Sequence, residues 1–480
     1  MLIAGPWNAA ADDGVVERAV WPPGVLTPAD EARFGHYAAA MAFYRGSQWG
    51  TPARRGTWQG QPLQLVFNYA RAVVRKTTSY VFPAPVSFSV LPGAGDDAED
   101  RANRAEQVLA AVIRDLDLAR LDLALGLDAL VVGDAAVKVT WDAVRGRPRV
   151  VAVNPATLVV QTVADDPRAM RSVTHAYALA GADLASLVPG DALAGLAHDL
   201  DPERGYPVVE WWTEDRWRMT VAGQVVHDGE NPYGWIPYAI ATNDPRPFGF
   251  WGQSDLLDLV DVCTELNARM TVLARVLELS GAPIAVLENV DGSEGIAVGP
   301  GAKWELPEGA RAYLLDLLQG GGTQLHISYI DLLYRTLHDL SETPRTAFGD
   351  SGRDLSGAAL EVEIQPLVQK VGRKRRMWDA FFLRRNALLL DLLERFGGEA
   401  LGGARQTVAI WPPVLPSDTD SAVRNAVSLV DHGVRSRRSA IAGLGGAGSE
   451  DPEAELARIL EETRRFAMVA GGSGRPVGGA

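Results

Sequence analysis

Apolar residues recur along most of this chain at helical spacing, interrupted by one long stretch in which they alternate. From Thr27 the run Thr-Pro-Ala-Asp places a capping residue before a first-turn proline, predicting a helix to about Arg45. FNYARAVVRKTTSYVF predicts a second helix over 67–82. PAPVSFSVLPG then alternates like a strand and stops at Pro92-Gly93. Two more helices fill 98–132, with a stripe through Leu109, Val112, Leu116, Leu121 and Leu125. Between Ala136 and about Asn243 the pattern turns to strands: AAVKVTWD, RPRVVAVNP, LVVQTVA, THAYAL and a hairpin around EDRW. GQVVHDGENPYGWIPYAI reads as a further short ribbon.

Helical pattern returns after Gly252. QSDLLDLVDVCTELNARMTVLARVLELSG predicts one uninterrupted helix of ~40 Å, capped by Ser254, with a stripe through Val260, Cys263, Leu266, Met270, Leu273 and Leu277. A small strand-rich insert follows (PIAVLENV, ARAYLLDLL), then a helix over 325–342. These two helices are expected to pack antiparallel and present the insert at their far end. The longest helix runs from about Gly357 to Phe396, bent at Pro366, with Leu360, Ile364, Leu367, Val371, Trp378, Phe381, Phe382, Leu388 and Leu392 on its apolar face. QTVAIWPPVLP returns as a strand, and two amphipathic helices, 419–433 and 451–469, close the pattern. The Ala/Gly/Pro-rich residues 1–25 read as a poorly ordered arm, and 471–480 as a disordered tail.

Between the last two long helices lies TPRTAFGDSGRDLSGAALE, whose glycines admit three readings: a phosphate cradle, a catalytic loop, or a moving part. The chemistry elsewhere narrows the choice. There is no G-x-x-x-x-G-K-[ST], no H-E-x-x-H, no G-x-S-x-G, and the seven histidines are scattered without metal-ligand spacing. The loop has no lysine after its glycines and carries Asp350 and Asp354, which repel phosphate. We therefore expect no catalytic residues, no metal and no cofactor. Cys263, the single cysteine, reads as core packing and excludes an internal disulfide. His338, on an apolar helix, reads as a packed residue.

Charge sharpens the picture. The 480 residues carry a net charge of −14, so the chain is not built to grip nucleic acid over its whole surface, although a local basic patch remains compatible with that balance. Asp255, Asp258 and Asp261 fall at three-residue spacing on the helix after Gly252. They read either as an acidic lining or as a solvated face near a helix start. Lys370, Arg373, Lys374, Arg375 and Arg376 form the most basic segment. It reads as phosphate contact with passing DNA or as pairing with carboxylates of a neighbouring subunit. The apolar runs are too short and too interrupted by aspartate to cross a membrane, and the first residues lack a secretory pattern.

The order of these parts carries a resemblance. FYRGSQWG with NYARAVVRKTTSYVF, then WGQSDLLDLVDVCTELNARMTVLARVLELSGAP, SGAALEVEIQPLVQKVGRKRRMWDAFF, and the ending LPSDTDSAVRNAVSLVDHGVRSRRSAI with DPEAELARILEE are similar to the portal proteins of tailed double-stranded-DNA bacteriophages, siphophage type. The resemblance implies an α+β, mainly helical portal fold. In it, 26–251 form an α+β wing, 252–281 and 325–343 long stem helices, and 282–324 a small β-rich clip. Residues 344–356 would be a tunnel loop, 357–416 a kinked long helix with a return strand to the wing, and 417–470 crown helices. It further implies a ring, usually of twelve subunits, at one capsid vertex, its subunits made in the host cytoplasm. Its partners would be the terminase large subunit, a head–tail connector, the major capsid and scaffold proteins, and double-stranded DNA passing through. By the same resemblance Phe348, Asp350, Ser351, Arg353 and Asp354 would face DNA, Phe348 as the loop's one large apolar contact. The alternatives are another virion assembly protein, such as a capsid or adaptor subunit, and an enzyme binding a phosphorylated ligand at the loop.

Overall fold

The computed structural model describes residues 21–49, 57–58, 61–62, 64–187, 201–281, 284–289, 306, 308–315, 322–350, 357–415, 419–434, 437, 440–441 and 455–462. The chain forms two compact units, Met1–Pro412 and Pro413–Ala480. The arm over 1–20, the tip of the insert over 290–305, the loop residues 351–356 and the tail 471–480 lie outside the described residues.

Helix α1 (Pro28–Arg45) starts where its cap dictates. The Thr27 hydroxyl accepts from the Asp30 backbone N–H (3.2 Å), and the Asp30 carboxylate accepts from that of Thr27 (3.3 Å). Trp21, placed by its sequence in the poorly ordered arm, is instead buried and stacked on Phe34. Its apolar area outweighs the loose composition around it. A two-residue hairpin, β1 (Thr57–Trp58) and β2 (Gln61–Pro62), precedes α2 (Tyr69–Val81), β3 (Ser87–Val90), α3 (Ala98–Asp115) and α4 (Leu118–Val132).

The strand-rich stretch makes two antiparallel sheets. β4 (Asp134–Asp142) and β5 (Arg147–Val153) form one hairpin; β6 (Leu158–Thr162) and β7 (Met170–Ala180) form another. After α5 (Gly181–Leu187) come β8 (Gly205–Trp212), β9 (Arg216–Val221), β10 (Gln224–Glu230) and β11 (Tyr238–Thr242). The five-stranded order is β10-β9-β8-β7-β6 and the three-stranded order is β11-β4-β5. The expected ribbon over 224–240 does not form. Its first half extends the large sheet beside β9, while its second half crosses to β4, about a hundred residues earlier. Local alternation specifies a strand but not its partner.

A buried polar network joins the two sheets. Glu210 on β8 takes an ion pair from Lys138 on β4, and accepts from Tyr177 Oη (2.5 Å) and Trp212 Nε1 (2.7 Å). Nearby, His175 Nδ1 meets Tyr238 Oη at 3.1 Å. Burial raises the Glu210 carboxyl, but the charges of Lys138 and His175 and the hydrogen bonds outweigh it and hold the group at about 2. Burial, the largest effect on His175, lowers it to about 3. The folded protein thus keeps His175 neutral at pH values where the unfolded chain protonates it. The resulting stability is complete above about 6.5 and is lost as pH falls toward 3, at about 1.4 kcal/mol per pH unit. Asp134, raised to about 6 chiefly by burial, acts in the opposite sense, its ionisation costing stability between about 4 and 6. Comparison with His175→Gln separates the two. The stability advantage of the wild type over this variant, measured by urea titration, should shrink steadily below pH 6.5. A constant difference would show that His175 is not held neutral.

Beyond the sheets, a 3₁₀ turn at Leu257–Leu259 leads into α6 (Val260–Gly281). β12 (Ile284–Glu288) pairs antiparallel with β13 (Arg311–Leu315), and α7 (Gly322–Leu340) returns. Leu259 and Cys263 share a buried cluster with Leu337, while Glu265 and Arg269 meet Tyr329. The pairs step in opposite directions along the two helices, so α6 and α7 run antiparallel. Within α6 the deepest positions are Cys263, Leu266, Asn267 and Thr271, whereas Val260 and Leu277 are exposed. Asn267 and Thr271 are buried because they accept from the backbone N–H groups of Phe67 (2.8 Å) and Leu65 (3.2 Å).

α8 (Gly357–Arg395) is continuous through Pro366. The proline removes the partner of the Val362 carbonyl, a position that is itself exposed. Of its expected apolar face only Leu360 is exposed; the rest is buried. β14 (Thr407–Ile410) pairs antiparallel with β3, closing the first unit. In the second unit, α9 (Thr419–Asp431) and a helix over 455–462 are described.

Candidate functional site

Two of the segments singled out by sequence, the basic run and the loop before α8, meet at the end of α7. Asp255 sits in the tight turn between Gly252 and α6. Its N–H donates to Leu130 O (3.0 Å), and Ser254 Oγ, which accepts from Leu256 N (3.0 Å), anchors that turn to the end of α4. Its carboxylate lies between two ammonium groups: Lys370 Nζ at 2.6 Å and Lys374 Nζ, with Asn243 Nδ2 donating at 2.6 Å. All three charged side chains are almost fully buried. Burial raises the Asp255 carboxyl, but Lys370 and Lys374 together overcome it and hold it far below the usual carboxylate range. Burial in turn lowers Lys374.

This corrects the expected acidic face. Asp255, Asp258 and Asp261 do not share one surface, because the helix begins at Val260, not Ser254. Asp255 points inward to its lysines, and Asp258 and Asp261 are exposed.

The basic run divides in the same way. Lys370 also donates to Ser341 O (3.0 Å), and Arg373 pairs with Glu342 at the exposed surface. Arg375 donates to the carbonyls of Tyr80, Val81 and Pro412 (3.3, 3.2 and 2.7 Å), closing the C-terminus of α2, with Trp411 under its guanidinium. Burial lowers Arg375. Arg376 is exposed and, with Asp244, Asp258 and Arg373, lines a cleft of about 310 Å³. Lys370, Lys374 and Arg375 are therefore spent inside the chain, which removes them from the basic cluster offered to DNA or to a neighbouring subunit and leaves Arg373 and Arg376 at the surface.

Glu342 ends α7 in a left-handed conformation (φ 50°), with Glu342 N–H bonding Asp339 O and Thr343 N–H bonding His338 O. This is the reverse turn that normally takes glycine. His338 is buried, its Nδ1 meeting Thr343 O at 2.6 Å.

The first residues of the loop that follows, to Asp350, are anchored to the body. Pro344 starts a 3₁₀ turn, Arg345–Phe348, closed by Gly349 at φ 87°. Phe348 turns inward, edge-on to His338 (5.3 Å) with Lys76 Nζ 5.5 Å from its ring, and packs on the core of α1, α2 and α4. The expectation that Phe348 is the loop's outward apolar contact is thereby overturned, since burying its ring outweighs leaving it in water. Asp350 is half-exposed and 3.4 Å from Arg345, which also reaches Asp331. A cleft of about 500 Å³ opens here between Arg335, His338, Arg345, Asp350 and Glu363. Ser351, Arg353 and Asp354 lie outside the described residues. Among the described residues no His, Cys, Asp and Glu cluster is fit to hold a metal.

Residues 327–467 match the family described as phage portal protein, SPP1 Gp6-like. This segment is similar to phage portal proteins. The matched portal segment takes in most of α7, the turn at 345–348, α8 and β14, and continues into the second unit. It contains the basic run and the whole loop before α8. No curated protein matches the chain. No described helix of the chain is long and apolar enough to cross a membrane.

Proposed function

We propose that the chain is one subunit of a closed ring at a single vertex of a phage capsid, through which double-stranded DNA enters during packaging and leaves at ejection. The family match over 327–467 carries this reading. Residues 26–251 serve as wing, α6 and α7 within 252–281 and 325–343 as stem, and 282–324 as the clip on which the terminase large subunit and later the head–tail connector dock. The antiparallel α6–α7 pair, with the β12–β13 hairpin at its end, supports that assignment. Residues 344–356 serve as the tunnel loop, held at Arg345–Phe348, and 417–470 as the crown; capsid and scaffold proteins are the remaining partners. The role is structural and no chemistry is assigned to the chain.

The charge balance supports a conduit. A net charge of −14, with Lys370, Lys374 and Arg375 neutralised or turned inward, weakens the basic run as a brake on sliding phosphates. Electron microscopy of the purified full chain is expected to show rings with a central hole, usually of twelve copies. A chain that stays monomeric at all concentrations would defeat the reading.

A further inference from the structure

The short segment between β11 and α6 carries two energetic anomalies on one residue. Arg246–Pro247–Phe248–Gly249 forms a tight turn closed by Gly249 N–H to Arg246 O (3.2 Å), with proline second and a left-handed residue third. That third position favours glycine or asparagine, yet it holds Phe248 at φ 59°. The same side chain is fully exposed, at 101%. A strained backbone and a solvated aromatic ring both oppose the isolated fold.

The turn is nevertheless firmly mounted. Pro245 bridges Gly252, and Gln253 N–H bonds Asp244 O (2.8 Å). Gly252 N–H bonds Asp134 Oδ1 (2.8 Å), and a Cβ at Gly252 would lie 2.4 Å from Gly133 O. Trp251 lies under the buried Arg33 guanidinium, 3.8 Å from it. The base is rigid and the tip projects.

We propose that Phe248 is a knob that inserts into a second copy of this chain, side by side in the ring; this rests on the ring reading above. The tip, Pro247-Phe248-Gly249, carries no charge, and the flanking Arg246 and exposed Asp244 offset each other, so no net positive charge is presented to nucleic acid. Exposed apolar side chains also stand at Leu257 and Val260, where the chain enters α6. Leu340 lines the cleft that Asp244 and Pro245 share. A side-to-side ring contact is heterologous, joining a protruding feature on one face to a recess on the other, and a rigid turn with an aromatic tip supplies the protruding half.

The test uses the full chain and Phe248→Asn, because asparagine accepts the left-handed turn while the ring is removed. Mass photometry across a dilution series should show the variant needing at least roughly tenfold more protein to assemble, with thermal stability of the dissociated chain unchanged or raised. Phe248→Trp should restore assembly. If Phe248→Asn assembles as the wild type does, the knob is refuted while the ring reading stands. The same holds if it assembles normally but fails to bind another virion protein. A lowered stability of the dissociated variant would assign Phe248 to its own fold and also refute the knob. Failure of the wild type itself to assemble would refute both.

Discussion

Asp122→Ala is expected to cost the first unit about 3–5 kcal/mol, because it strands a guanidinium in the core. Arg385 is completely buried, with its charge among the rings of Phe88, Phe381 and Phe382 (5.7, 5.6 and 4.9 Å) and Nη1 on Asp122. Nε reaches only the neighbouring Asn386 (3.2 Å). Burial raises the Asp122 carboxyl above its usual range despite the pull of Arg385, so desolvation is the dominant influence on that group. It follows that the pair contributes little beyond what an apolar pair would. The double variant Asp122→Leu with Arg385→Met should therefore regain most of the stability that either single change loses. Urea midpoints of the dissociated chain decide it: single variants as stable as the wild type, or a double variant worse than both, would refute this account.

Asp255→Ala should be as damaging, at about 3–5 kcal/mol, since one carboxylate serves two buried ammonium groups. Lys374, already lowered by burial, is expected to give up its proton first once that carboxylate is gone. Lys370→Met should be far milder, about 1–2 kcal/mol, because Asp255 keeps Lys374 and the hydrophobic stem of Lys370 is replaced in kind. Thermal unfolding of the two variants side by side gives the order. Equal losses would mean that the lysines do not share one partner. The lock ties the entry of α6 to the middle of α8, so its loss should also loosen the mounting of the α6–α7 pair.

Much of this architecture is legible in the residues. Thr-Pro-Ala-Asp marks the start of α1 because its cap is local, and EDRW marks the β8–β9 turn, where Arg216 N–H donates to Thr213 Oγ1 (2.9 Å). What fails is whatever depends on a distant partner. β10 and β11 alternate alike, yet one pairs with β9 and the other with β4. Three aspartates at three-residue spacing look the same whether the first is solvated or caught between two lysines contributed by residues more than a hundred positions away. Glycines around 349–357 suggest freedom, but Phe348 packs against the core and Arg345 holds Asp331 and Asp350. One signal for the basic run was present. Leu367, Val371, Lys374 and Trp378 step by four, three and four, which sets Lys374 within the apolar stripe of α8 and requires a buried anion opposite it.

The pairing of β3 with β14 has a consequence for how the protein is made. Val90 meets Thr407, so the strand that follows α2 has no partner until more than three hundred further residues have left the ribosome. At about 5–20 residues per second that wait is some tens of seconds. During it the edge of Ser87–Val90 and the carbonyls at the end of α2, later closed by Arg375, stay open to other chains. The first unit therefore closes only once Thr407–Ile410 has emerged, long after α2 and β3 have been made.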